Sequence, residues 1–218
     1  MPSALLFDLD GTLADTAPDL AAALNAVLRA EGRSALPLEV IRPHVSHGAP
    51  RLVRLGFGAE IPEDEFERLR TQLLHAYAGA VCEETRLFEG MEEVLRHLES
   101  AGIPWGIVTN KPGWLTEPLL EAMGMMPRVR SVVSGDTLQR RKPHPDPLLL
   151  AASQMGVEPQ HCVYAGDAQR DIDAGHAAGM YTVAVTWGYI PEEEEPGRWG
   201  AHRLISEPGE LLEIMTGL

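Results

Sequence analysis

Apolar positions follow two different rhythms along this chain. The run Ala4-Leu5-Leu6-Phe7 is unbroken and reads as a short buried strand. From Thr16 onward the spacing lengthens to that of a helix: Leu20, Leu24, Val27 and Leu28 form one stripe, with Gly32 as a stop signal. Pro37 and Pro43 bracket a short segment. A second helix is predicted over about Pro50 to Leu55, before Gly56, Gly58 and Pro62 interrupt. A third starts near Glu63 and runs into the low eighties, with Phe66, Leu69, Leu73, Tyr77 and Val81 on one face. No strand-like run occurs between Asp15 and Arg86, so this block is predicted to be wholly helical.

From about Leu87 helices and strands alternate. A helix carrying Met91, Val94, Leu95 and Leu98 stops at Gly102, and the strand Ile103 to Val108 ends in Thr109-Asn110-Lys111. A helix with Leu115, Leu119, Leu120 and Met123 leads to a strand near Val129 to Ser134, which ends in Gly135-Asp136. A helix with Leu148, Leu149, Leu150 and Met155 leads to Cys162-Val163-Tyr164-Ala165, which ends in Gly166-Asp167. One more helix precedes the strand Tyr181 to Val185. His202 to Ile205 reads as a weak edge strand and Pro208 to Met215 as a short helix. Gly102, Gly156 and Gly179 each sit between a helix and a strand, the place where a left-handed cap residue is needed. Such alternation predicts an α/β fold with a parallel sheet covered on both faces. Residues 1–14 and 86–218 form this core, and residues 15–85 form an inserted helical domain.

Composition narrows the function classes. The 218 residues are 44% hydrophobic and 23% charged, as in ordinary globular proteins. No apolar run approaches the roughly 18 residues of a membrane span. The start shows neither a basic leader nor a cleavage site. Cys82 and Cys162 are too few for a disulfide framework and read as packed free thiols. These features predict a cytoplasmic protein with no membrane partner; a monomer or homodimer is expected. The formal net charge of −14 argues against nucleic acid, which is bound through lysine and arginine. The run Glu192 to Glu195 reads as a solvated loop.

Ligands of parallel α/β sheets bind beyond the carboxyl ends of the strands, so the polar residues there are the candidates. Asp8 and Asp10, two apart, project to one side of the first strand end. Gly11 permits a sharp bend behind them, and Thr12 adds a hydroxyl and a backbone N–H. Like charges held together need a cation or a shared proton, and carboxylate oxygens suit a divalent metal such as Mg²⁺. Other strand ends add Thr109 and Asn110, Lys142 within Arg140-Arg141-Lys142-Pro143-His144-Pro145, and Asp167 and Asp171. A nucleophilic carboxylate, an acid/base carboxylate, a hydroxyl, a cation and a further acidic pair make a phosphoryl-transfer set. Asp136 shapes a loop near these ends, and Trp114 is placed to line a site mouth. His44, His47, His75 and His144 lack metal-ligand spacing.

The DxDGT of Asp8 to Thr12, Thr109, the KPxP of Lys142 to Pro145 and the GDxxxD of Gly166 to Asp171 together resemble the haloacid dehalogenase superfamily, on its phosphatase side. The resemblance spans nearly the whole chain and implies a Rossmann-like core with a small helical cap inserted after the first motif. It implies that Asp8 attacks phosphorus, and that Asp10 protonates the leaving alcohol and then activates water. It implies Mg²⁺ as cofactor on Asp8, Asp167 and the main-chain carbonyl of Asp10. Thr109, Asn110 and Lys142 would bind the phosphoryl group, and Asp171 would support Lys142 or the metal's waters. Ala168 departs from the Ser or Thr of many relatives, removing one hydrogen bond but no catalytic group. In this family the cap chooses the leaving group. The candidate reader is His44 to Arg51, with His47 and Gly48 near the substrate and Arg51, with Arg54, pairing with a carboxylate. The pattern is most similar to phosphoglycolate phosphatases, while Gly102 to Pro112 resembles relatives acting on N-acetylmuramic acid 6-phosphate. The implied partner is therefore a small phosphate ester. A phosphoglucomutase-type transferase shares the core and would differ in how the cap excludes water. A dehalogenase needs neither Asp10 nor a metal.

Overall fold

In the computed structural model, which describes residues 2–217, the chain begins with strands β1 (Ala4–Phe7) and β2 (Ala14–Asp15). Helices α1 (Ala17–Ala30), α2 (Leu38–Ile41), α3 (Gly48–Phe57) and α4 (Glu63–Ala78) follow. The alternating part comprises β3 (Arg86–Leu87), α5 (Met91–Ser100), β4 (Trp105–Val108), α6 (Gly113–Ala122), β5 (Ser131–Val133) and α7 (Asp146–Met155). It ends with β6 (Cys162–Gly166), α8 (Gln169–Ala177), β7 (Tyr181–Val185), β8 (Arg203–Ile205) and α9 (Glu210–Gly217).

Six strands form one sheet in the order β5-β4-β1-β6-β7-β8, and every neighbouring pair is parallel. β1, the central strand, is wholly buried because both faces are covered. Its side chains alternate between two cores. Leu5 and Phe7 join α5, α6 and α9 through Leu95, Leu119 and Leu211. Ala4 and Leu6 join α7 and α8 through Leu148, Ala151 and Ala174. Phe7 is in register with Ile107 of β4 and Ala165 of β6. The residues just past these strands, Asp8, Thr109 and Asp167, are thereby delivered to one edge of the sheet.

The block between β2 and β3 has a core of its own, built by Leu20, Leu24, Leu28, Val53, Phe66, Leu69 and Leu73, which also takes in Leu115 and Tyr189 from the sheet domain. Here the structure refines the expected elements. Ala14 and Asp15 pair antiparallel with Leu87 and Arg86, so a two-stranded ribbon closes the base of the block. Two residues per strand are too few for periodicity to register. The Pro37–Pro43 region forms α2 and a 3-10 turn over Arg42–His47. α4 stops at Ala78, so Val81 packs on the core from outside the helix. Pro50 does not mark a helix start either: α3 begins at Gly48, and proline is tolerated within a first turn whose N–H groups lack helical partners. Among the described residues no helix is long and apolar enough to cross a membrane.

Candidate active site

Three carboxylates, Asp8, Asp167 and Asp171, converge beyond the ends of β1 and β6, with an oxygen from each within 4.8 Å of the others. All are buried. Lys142 Nζ, equally buried, lies 2.8 Å from both Asp8 Oδ1 and Asp171 Oδ1. It also lies 2.8 Å from the Val108 carbonyl and from the Tyr164 hydroxyl. Asp171 is fully engaged, because its Oδ2 accepts the Ala168 N–H at 3.1 Å. Ala168 has no side-chain acceptor to return that bond, so only the Asp171 half of a reciprocal cap forms.

Asp167 differs. Its Oδ2 accepts the Tyr189 N–H at 2.8 Å and the Ser46 hydroxyl at 2.6 Å. Its Oδ1 is buried without any partner. Burial pushes the Asp8 carboxyl up to about 6 despite Lys142, and burial, with Asp8 and Asp171 nearby, pushes Asp167 up to about 7. An unpartnered buried carboxylate oxygen is costly, and a hard cation satisfies it. The all-oxygen donor set of Asp8 and Asp167, with Asp171 behind, fits such a cation.

Asp10 lies outside this cluster. Its Oδ1 accepts Lys111 Nζ at 2.8 Å and the Thr16 hydroxyl at 2.6 Å. Burial works against the charge on Lys111, but Asp10 outweighs it and raises the lysine above its ordinary range. Thr109 Oγ1 accepts the Lys111 N–H at 3.1 Å, which leaves its hydroxyl proton free to donate. Between Asp8 and Asp10 on one side and Asp167 on the other, Gly11 has φ +87, and a Cβ there would collide with the Asp167 carboxylate. Gly11→Ala is therefore expected to displace Asp167 and weaken divalent-cation affinity at least tenfold, measurable by titration calorimetry. Thr12 is buried, with its hydroxyl unpartnered and its carbonyl held by Trp187 at 3.1 Å.

A cavity of about 440 Å³ opens over these groups, lined by Asp8, Asp10, Thr109, Asn110 and Lys142 from the sheet domain. The helical block roofs it with Ser46, His47 and Gly48 and with the α4 face Arg70, Leu74 and Tyr77, spaced so as to align on one side of a helix. Gly48, at φ +74, ends the 3-10 turn beside the cavity. Three of the buried side-chain atoms without partners, Tyr77 Oη, Asn110 Oδ1 and Arg170 Nε, belong to residues of this lining. Unsatisfied polar groups concentrated in one cavity mark a binding site.

Arg51 is exposed and outside that lining, with its Nε 3.4 Å from His44 Nδ1. Arg54 stacks over Phe66. The cavity arginines are instead Arg70, Arg141 and Arg170. The acidic loop is solvated as expected at Glu192, Glu193 and Glu195, while Glu194 is half-buried and pairs with His47 at 3.2 Å. Ser46 and Arg170, which donates to the Ser46 carbonyl at 2.7 Å, tie the roof to the sheet domain, and the paired hydrogen bond of Arg42 to Asp15 ties it to the ribbon at its base. Ser46 and His47 fall within the predicted reader segment and Arg170 within the GDxxxD motif, whereas Arg42 carries no sequence signal of its own. The i, i+4, i+7 spacing of Arg70, Leu74 and Tyr77 is visible in the sequence but lies beside the stronger apolar stripe of α4.

The profile described as haloacid dehalogenase-like hydrolase matches residues 5–185. The chain is 44% identical over 212 residues to a phosphoglycolate phosphatase of Xanthomonas campestris, covering 97% of this chain and 96% of that protein. It is 41% identical over 212 residues to the N-acetylmuramic acid 6-phosphate phosphatase of Pseudomonas aeruginosa, covering 97% and 94%. A crystal structure of a predicted phosphoglycolate phosphatase from Haemophilus somnus superposes with a TM-score of 0.86 at 29% identity, covering 98% of this chain and 97% of that one.

Proposed function

The chain belongs to the haloacid dehalogenase-like hydrolase family, and on that premise we propose that it is a Mg²⁺-dependent phosphomonoesterase for a small, carboxylate-bearing phosphate ester. Both relatives' named substrates, phosphoglycolate and N-acetylmuramic acid 6-phosphate, fit that description. The observation that carries the reading is Asp8, facing the cavity between Lys142 and the half-partnered Asp167.

Asp8 attacks phosphorus, and the bond from phosphorus to the ester oxygen breaks. That oxygen leaves with the electron pair and takes a proton from Asp10, which lies at the cavity wall. Asp10, now a carboxylate, accepts a proton from water. The water oxygen attacks the aspartyl phosphate, Asp8 is released and inorganic phosphate departs. Lys142 offsets the charge of Asp8 while the anionic phosphoryl group approaches. Thr109 donates its free hydroxyl proton to a phosphoryl oxygen. Asp8, Asp167 and the main-chain carbonyl of Asp10 would hold Mg²⁺. When bound, the ion supplies positive charge against the repulsion between nucleophile and phosphoryl oxygens.

Mg²⁺ should support hydrolysis of p-nitrophenyl phosphate with stoichiometric release of inorganic phosphate, and EDTA should abolish it. Transfer to a second alcohol without phosphate release would favour the transferase reading. Cation binding should also show in stability. At a hundredfold excess over its Kd a ligand of the native state adds about 2.7 kcal/mol, or roughly 5–10 °C in Tm for a chain of this size. The sign with pH follows from the raised carboxyls. Protons compete with the ion for Asp8 and Asp167, whose pKa values lie at about 6 and about 7 without it. The Tm gain should therefore be full above about pH 8 and fade toward pH 5. A Mg²⁺ effect that is absent, or constant across that range, would refute this cation site.

A further inference from the structure

The chain contains two lysines, Lys111 and Lys142, and every other cationic side chain apart from histidine is an arginine. Both lysines are buried, and each touches a different carboxylate of the first motif. The mechanism above gives Lys142 a task and Lys111 none. We propose that Lys111 is a positioning residue for proton transfer: with Thr16 it fixes the Asp10 carboxyl through Oδ1, and Oδ2 carries the proton to the leaving oxygen. The proposal rests on the phosphatase reading above and adds to it a residue that acts through Asp10.

The first argument is which oxygen is held. Asp10 Oδ1 accepts both Lys111 Nζ at 2.8 Å and the Thr16 hydroxyl at 2.6 Å. Among the described residues Oδ2 has no hydrogen-bond donor, and Asp10 borders the cavity. A tie that served only to join two segments would engage both oxygens, as the Arg42 fork does on Asp15. Lysine is the cation suited to a single oxygen, because its ammonium is a point charge and not a planar fork. One oxygen is thus anchored while the other stays available for a proton that leaves and returns.

Charge is the second argument. When the leaving oxygen takes its proton, Asp10 becomes a carboxylate in a wall that already holds Asp8 and Asp167. Lys142 lies within ion-pair distance of Asp8 and Asp171, whereas the ion pair of Asp10 is with Lys111. A cation in place before the charge develops lowers the barrier without reorganisation. Lys111 keeps its own protons throughout: the proton gained by the alcohol is the one Asp10 loses, and the attacking water later returns one to Asp10.

Enclosure is the third. The Lys111 side chain is 6% exposed, and its Nζ lies 4.5 Å from the centre of the Tyr77 ring on α4, within cation–π range. Its N–H is held by Thr109 Oγ1 at 3.1 Å, and its carbonyl accepts the Thr116 hydroxyl at 3.2 Å. Burying a long cationic side chain costs both hydration and rotamer freedom. Here that cost places one ammonium against one oxygen of the proton donor, with the helical block closing over it.

The test compares esters whose leaving groups need the proton to different degrees. p-Nitrophenol departs readily as its anion, whereas an aliphatic alcohol does not. Rates with Mg²⁺ are measured for the wild-type protein, Lys111→Met and Thr16→Val. The esters are p-nitrophenyl phosphate, phosphoglycolate and N-acetylmuramic acid 6-phosphate. Lys111→Met should lower kcat/KM for the better alkyl ester by about fiftyfold or more. For p-nitrophenyl phosphate it should lower kcat/KM by less than about fivefold, because that ratio reports only the steps through loss of the phenol. Its kcat on the same ester should still fall about tenfold, with KM falling in parallel, because hydrolysis of the aspartyl phosphate also needs Asp10. A burst of about one equivalent of p-nitrophenol per active site should accompany that fall. The Thr16 side chain does not cap α1, so Thr16→Val should give the same pattern at smaller size, and it carries the test alone if Lys111→Met does not fold. Equal losses on aryl and alkyl esters without a burst, or losses in KM alone, would overturn the positioning role while the phosphatase reading stands. Failure of the wild-type protein to release phosphate from any of the three would overturn the phosphatase reading itself.

Discussion

Asp8→Asn is expected to lower kcat on p-nitrophenyl phosphate by a factor on the order of 10⁴ or more, the scale of loss when a nucleophile is removed. The amide matches the carboxylate in size and can still accept the Leu9 N–H that now bonds Asp8 Oδ1 at 2.8 Å. Lys142 keeps Asp171, the Val108 carbonyl and the Tyr164 hydroxyl as partners, so the loss should be chemical and not structural. One of three crowded carboxylates also becomes neutral, which relieves repulsion in the metal-free protein. Steady-state kinetics paired with circular dichroism would check both halves. A folded variant that retained more than about one per cent of turnover, after exclusion of deamidation by mass spectrometry, would remove Asp8 as nucleophile.

Lys142→Met is expected to damage stability as well as turnover. The side chains of Lys142 and Asp171 are fully buried and that of Asp8 nearly so. Among the described residues Lys142 is the one cation within ion-pair distance of both carboxylates, and without it they keep only hydrogen bonds and the longer-range field of Arg170. Breaking such a buried arrangement costs about 3–5 kcal/mol, equivalent to roughly 10 °C in Tm at this chain length. Turnover should fall about 10²- to 10³-fold, because the phosphoryl group would then approach an uncompensated nucleophile. Thermal unfolding in EDTA and in Mg²⁺ distinguishes the two origins. If the deficit is electrostatic, the cation should recover part of it by taking over the charge of Asp8. A deficit of the same size in both solutions would point to lost packing instead.

How far the sequence could be read depended on the kind of signal each residue carries. Asp8, Thr109 and Asp167 each follow an apolar run, and parallel pairing with Phe7 in register with Ile107 and Ala165 makes all three ends coincide. A strand end is visible in one dimension, so these positions were legible. The two-residue ribbon of β2 and β3 was not, because two residues show no period. Arg51 illustrates a different gap. It lies in the predicted reader segment and has the right chemistry, yet it is exposed and not among the residues that line the cavity, where Arg70, Arg141 and Arg170 stand. Which face of a polar helix meets another domain depends on how the two cores dock. A charged residue looks the same in sequence whether it faces solvent or a site.

By itself the sequence determined the alternating core, the helical insertion and the strand ends that carry Asp8, Thr109 and Asp167, because burial imposes a local periodicity that no distant contact is needed to read. Only the tertiary structure decided that Asp10 pairs with Lys111, that Ser46 of the roof reaches Asp167, and that Arg70 and Arg141 frame the mouth of the cavity. These are contacts between segments far apart in the chain. They depend on the angle at which the inserted helices settle on the sheet, a quantity set by the shared packing of Leu115 and Tyr189 with the insert's own core.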